Sequence, residues 1–107
     1  MLQVWKIKPH IKGDTFSSRQ ITFPFDITAC KIEMQFREIA NSRLMFFWST
    51  TNNTFEKINA NQIIMKSRIL DDKVASYISD LQVIYPDGTV QTYFNATIQI
   101  ISDITRT

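Results

Sequence analysis

Cysteine, histidine and glycine are almost missing from this chain, and each shortage removes a class of function. Of 107 residues, one is cysteine (Cys30) and one is histidine (His10). A lone cysteine closes no intrachain disulfide, and with a lone histidine it cannot supply the four ligands of a structural zinc site. The two glycines, Gly13 and Gly88, are too few for the glycine-rich loops that cradle phosphates. No apolar run approaches the ~20 residues of a membrane helix. Residues 1–9 hold no apolar stretch of the signal-peptide kind, so synthesis and residence in a cytoplasm are expected, with no membrane partner. Charge of one sign is also lacking: 12 basic residues face 10 acidic ones, for a net +2. The basic side chains are scattered rather than clustered, so a nucleic-acid partner is not expected.

Catalysis has little to work with. Any Ser-His or Cys-His mechanism must use His10, which follows Pro9 in a polar stretch. Cys30 falls on the apolar side of an alternating run, where cysteine behaves as a small hydrophobe. The acids are spread over turns and polar faces, not paired as glycoside hydrolysis requires. Asp71-Asp72 lacks the additional carboxylates and glycine bend of a calcium loop and reads as a solvated acidic turn. No catalytic residue, cofactor-binding residue or metal ligand is assigned, and the chain reads as a non-enzyme. The sequons at Asn52 and Asn95 read as chance matches without a secretion signal.

What the sequence does contain is alternation. Cys30, Ile32, Met34 and Phe36 are separated by Lys31, Glu33, Gln35 and Arg37, which lines up on a strand and smears around a helix. Residues 1–9 predict a first strand with Trp5 and Ile7 on one side. Residues 19–27 predict another, with Ile21, Phe23, Phe25 and Ile27 on one face. Pro24 makes it an edge strand or forces a bulge. Residues 44–50 are apolar on both faces, Leu44, Phe46 and Trp48 on one and Met45 and Phe47 on the other. Such a strand is covered twice or lies at a contact surface. Shorter strands are predicted at 55–58 and 62–66, and one helical turn within 67–76 on the spacing of Leu70 and Val74.

The strongest local signal is the closing hairpin, with arms on either side of Pro86-Asp87-Gly88-Thr89. Gly88 tolerates a positive φ, and Pro86 suits the strand end because it cannot donate to a ladder. In the first arm Tyr77, Leu81, Val83 and Tyr85 share a face. In the second, Val90, Thr92, Phe94, Ala96, Ile98 and Ile100 do. About seven or eight short strands with turn signals between them predict one all-β domain over residues 1–107, an immunoglobulin-like antiparallel β-sandwich, with a small barrel as the alternative. Trp5, Phe46, Phe47, Trp48 and Tyr93 exceed what one modest core obviously needs. They are read either as core packing or as a candidate subunit interface, since aromatic residues are enriched in interface cores.

The closing stretch resembles a family of small phage and prophage structural proteins. The residues that carry the resemblance are Tyr77 to Gln82 (Y-I-S-D-L-Q), Asp87-Gly88 and Asp103-Ile104-Thr105-Arg106. Lys12-Gly13-Asp14-Thr15-Phe16 and residues 30–37 are similar to two further motifs of the same family. At Asn95 the pattern usually has glycine, so a bulge there would need asparagine in the left-handed region. The resemblance implies a β-sandwich similar to the N-terminal domain of phage baseplate upper proteins. It implies location in the virion after assembly in the host bacterial cytoplasm, and partners among other tail or baseplate proteins or copies of itself. The alternative is a stand-alone β-sandwich module that binds a ligand or carbohydrate through exposed Trp48 and Trp5.

Overall fold

The structure is a computed structural model that describes residues 3–102. The tail motif at Asp103 to Arg106 lies outside the described residues. In chain order the strands are β1 (Gln3–Lys6), β2 (His10–Ile11), β3 (Thr15–Phe16), β4 (Arg19–Thr22), β5 (Lys31–Glu38) and β6 (Leu44–Ser49). They continue as β7 (Phe55–Asn59), β8 (Gln62–Met65), β9 (Arg68–Ile69), β10 (Ala75–Ile84) and β11 (Val90–Ile101). Eight of these have four residues or more, while β2, β3 and β9 are two-residue pairings. The fold is an all-β sandwich. A large sheet runs β1-β11-β10-β5-β6 with β2 also on β11, a three-stranded sheet runs β4-β8-β7, and β3 pairs with β9. All pairings are antiparallel except those of β1 and β2, which run parallel to β11.

The alternation of β5 places Ile32, Met34 and Phe36 in the core, with Cys30 just before them. On β10 the same parity buries Tyr77, Ser79, Leu81 and Val83. The smaller sheet contributes Phe55, Ile63 and Met65. The hairpin turn forms as its residues dictate. Gly88 N–H donates to Tyr85 O at 2.9 Å, and Tyr85 N–H to Thr89 O at 2.8 Å. Gly88 sits at φ 91°, which gives the three-residue turn its left-handed closing position.

Three expectations are corrected. Residues 67–76 form no helical turn: Leu70 is fully buried while Val74 is 46% exposed, so the pair does not share a face, and β9 pairs there with β3. The single face expected for Val90 to Ile100 is broken by a bulge at Tyr93. Leu81 pairs with Phe94 and Gln82 with Thr92, so Tyr93 is the extra residue, and the positive-φ non-glycine residues described are Ser42 and Asn53. Consequently the parity of β11 reverses at the bulge. Ala96, Ile98 and Ile100 face the core, while Val90 is 53% exposed. Finally, β4 stops at Thr22, and Pro24 occupies a bend beyond it, because a proline cannot continue the ladder.

Candidate docking groove

The two long sides of the sandwich are built differently. On one side β6 is the edge of the large sheet, and side chains cap its outward backbone groups. Arg68 donates to Phe47 O at 3.0 Å, and Thr54 Oγ1 accepts from Ser49 N–H at 2.7 Å. The Arg68 guanidinium also lies 5.1 Å from the Trp48 ring centre, a cation–π arrangement. Trp48 Nε1 donates to Lys66 O at 2.9 Å. An edge occupied in this way is blunted against further strand pairing.

On the other side β1 and β4 are the edges of the two sheets, and a groove of about 440 Å³ runs between them. Its apolar members are Val4, Trp5, Ile21, Tyr93 and Phe94, and Arg19, Gln20 and Thr22 form the polar part. Ring contacts fix the floor. Trp5 meets Phe94 edge-on at 6.1 Å and Phe16 at 6.5 Å, and Tyr93 lies 4.9 Å from Phe23 and 5.8 Å from Phe25. The Arg19 guanidinium stands 5.9 Å from the Trp5 ring.

Backbone parity determines which groups these edges present. Phe23 N–H donates to Asn61 O, and β4 continues the same antiparallel register with β8. Alternation then turns Ile21 and Arg19 toward β8, and Gln20 and Thr22 away from it. Likewise Ile7 N–H donates to Thr97 O, so Trp5 bonds inward to β11 while Val4 and Lys6 turn outward. Two strand edges with outward N–H and C=O groups thus flank an aromatic floor.

Of the five residues singled out in the sequence, Trp5 and Tyr93 lie in this groove. Phe46 and Trp48 are 3% and 1% exposed. They belong to the domain's own core, with Phe46 stacked on Phe36 at 4.8 Å, so neither forms a contact surface. For the same reason Trp48 is not available to the ligand-binding alternative, which keeps Trp5 of its two tryptophans. Phe47 is 39% exposed on the capped side. Arg19, Ile21 and Phe94 were not anticipated; the alternation of 19–27 held the signal for Ile21, but which sheet it faces did not follow from it.

The other candidates are accounted for by local contacts. His10 Nε2 is 2.9 Å from Asp14 O and packs beside Phe16. Cys30 is buried. Among the described residues no three His, Cys, Asp or Glu side chains gather as around a metal ion. Burial raises the Asp72 carboxyl above its ordinary 3.8, Arg68 opposes this, and Asp71 adds to it. A raised folded value means that Asp72 favours the fold fully below 3.8 and that this contribution is lost as pH rises through the folded value. Asp72→Asn is therefore expected to raise the melting temperature at neutral pH. The gain should vanish on acidification below the ordinary value, as read by thermal melts across pH.

Fold and groove together define an all-β sandwich whose β6 edge is capped by side chains and whose β1 and β4 edges flank a groove. No protein-family model matches the chain, and no curated protein matches it. Among solved structures it is similar to CopC from Methylosinus trichosporium OB3b. The two are 13% identical, 91% of this chain and 88% of that one are covered, and the TM-score is 0.49.

Proposed function

We propose that the chain is a non-enzymatic virion structural protein of a phage or prophage, a tail or baseplate component that docks neighbouring subunits. The docking element is the groove between β1 and β4, and its occupant is an extended segment of a neighbouring tail or baseplate protein. One observation carries the docking reading: the sandwich caps its β6 edge and leaves β1 and β4 open above an aromatic floor. An added strand bonds to an open edge through its main chain and gains specificity from pockets for alternate side chains. The apolar floor and polar rim match the anatomy of an interface core. The phage assignment rests on the resemblance of residues 12–106 to the baseplate family. The protein's location is then the virion, after assembly in the host cytoplasm.

The test is mass spectrometry of particles purified from the bacterial strain that carries the gene. The chain is expected in the tail fraction. Gln20→Pro removes an outward N–H of β4 without touching the β8 ladder. That variant is expected to fold, to melt near the wild-type temperature, and to be absent from particles. Particles that lack the wild-type chain overturn the phage assignment. Particles that hold the folded Gln20→Pro variant at wild-type level overturn the groove.

A further inference from the structure

The face of the large sheet turned away from the core carries a second concavity, of about 490 Å³. That volume is within the roughly 300–1,000 Å³ of small-molecule sites. Glu33, Gln35 and Arg37 of β5 line it, with Asp80 and Gln82 of β10 and Asn95 of β11. The ladder opens at this place. Tyr77 pairs with Glu38, Ile78 with Arg37 and Leu81 with Met34, in one continuous register, yet no pairing joins Ser79 or Asp80 to β5 among the described residues. The interrupted pairing falls beside the concavity, which Ser79 and Asp80 help to line.

The polar side chains hold one another in place. Gln82 Nε2 donates to Asp80 Oδ2 at 3.3 Å, Arg37 donates to Gln35 Oε1 at 3.0 Å, and Lys31 pairs with Glu33 at 2.9 Å. An amide carries an acceptor and two donor hydrogens, and a carboxylate accepts at two oxygens, so these bonds leave capacity on each group. Ile78, 47% exposed, adds an apolar contact at the rim.

We propose that this cleft binds a neutral saccharide. A sugar offers neighbouring hydroxyls that each donate and accept, which suits planar amide, carboxylate and guanidinium groups side by side. Its C–H face suits Ile78. Glu33 and Asp80 disfavour a phosphate or other anion. Arg37 and the amides disfavour a bare divalent cation, which selects carboxylate oxygens. The cleft is on a different face from the β1–β4 groove, and the proposal does not depend on the docking role.

The probes are maltose, cellobiose, lactose and chitobiose, examined by saturation-transfer NMR and by titration of the ¹⁵N-labelled wild-type protein. At least one disaccharide is expected to bind with a dissociation constant on the order of 1 mM. The side-chain amide signals of Gln35, Gln82 and Asn95 are expected to shift. Gln35→Ala and Asn95→Ala, both on the solvent face, are each expected to weaken binding about tenfold. No saturation transfer at about 20 mM sugar, where a millimolar site is nearly full, overturns the proposal. So does a set of shifted signals that maps away from these amides, or binding of an arginine-rich peptide in preference to every sugar. The wild-type titration decides the matter even where a variant fails to fold.

Discussion

Trp48→Ala is expected to destabilise the fold by about 3–5 kcal/mol, the range for deleting a buried large aromatic side chain. Trp48 is 1% exposed and meets Phe36, Phe46 and Phe16 at ring distances of 5.8, 6.1 and 5.5 Å. Its removal opens a cavity among Phe16, Phe36 and Phe46. It also strips the donor from Lys66 O and one of the two aromatic faces beneath Arg68. A domain of this size has roughly 5–15 kcal/mol in total, so the variant sits close to unfolding. Trp48→Phe keeps most of the packing and loses the N–H, for an expected cost of about 1–3 kcal/mol. Phe47→Ser, one position along on the outer face, is expected to change stability by about 0.5 kcal/mol or less. Urea titration followed by circular dichroism reads all three. A lower midpoint for Phe47→Ser than for Trp48→Ala would show that β6 is inserted the other way round.

Phe23→Ala is expected to cost about 3 kcal/mol and to disturb the docking groove at the same time. Phe23 is 1% exposed although it lies beyond the end of β4. Asn61 fastens it twice: its carbonyl accepts from Phe23 N–H at 2.8 Å, and its amide donates to Phe23 O at 3.1 Å. The ring supports Phe25 and Tyr93, and Tyr93 leads to Phe94 and so to Trp5. Trp5 and Trp48 are the two tryptophans of the chain. In a Trp48→Phe background, Trp5 therefore reports on the groove alone. Phe23→Ala in that background is expected to lower the urea midpoint and shift Trp5 emission to the red as the floor loosens. A lowered midpoint with unchanged Trp5 emission would separate Phe23 from the groove.

The parity of individual strands was legible because the period of two is written in the residue types. Cys30, Ile32, Met34 and Phe36 alternate without interruption, and all four are buried. Parity failed only where a bulge intervened. Nothing in Thr92-Tyr93-Phe94 marks Tyr93 as the extra residue, since the bulge arises from the pairing of β11 with β10 and not from a local turn preference. The helical turn expected near Leu70 failed for a related reason. A spacing of four between two apolar residues is no constraint when the segment instead pairs with β3, from a distant part of the chain.

The candidate groove was half legible. Trp5 and Tyr93 stood out as aromatic residues in excess, and so did Phe46 and Trp48, which the core absorbs. Composition cannot tell these pairs apart, because burial depends on which sheet lies across each strand. The polar cleft left no mark beyond ordinary solvent-facing alternation in β5 and β10. Only the interrupted pairing opposite Ser79 and Asp80 distinguishes it.

Residue order alone was enough for the all-β character, the closing hairpin with Gly88 at its turn, and the inward faces of β5 and β10. All are local consequences of period, turn chemistry and side-chain polarity. The tertiary structure decided which edges stay open. Capping of β6 by Arg68, and the facing of β1 with β4, join residues remote in the chain, and no local periodicity encodes such contacts.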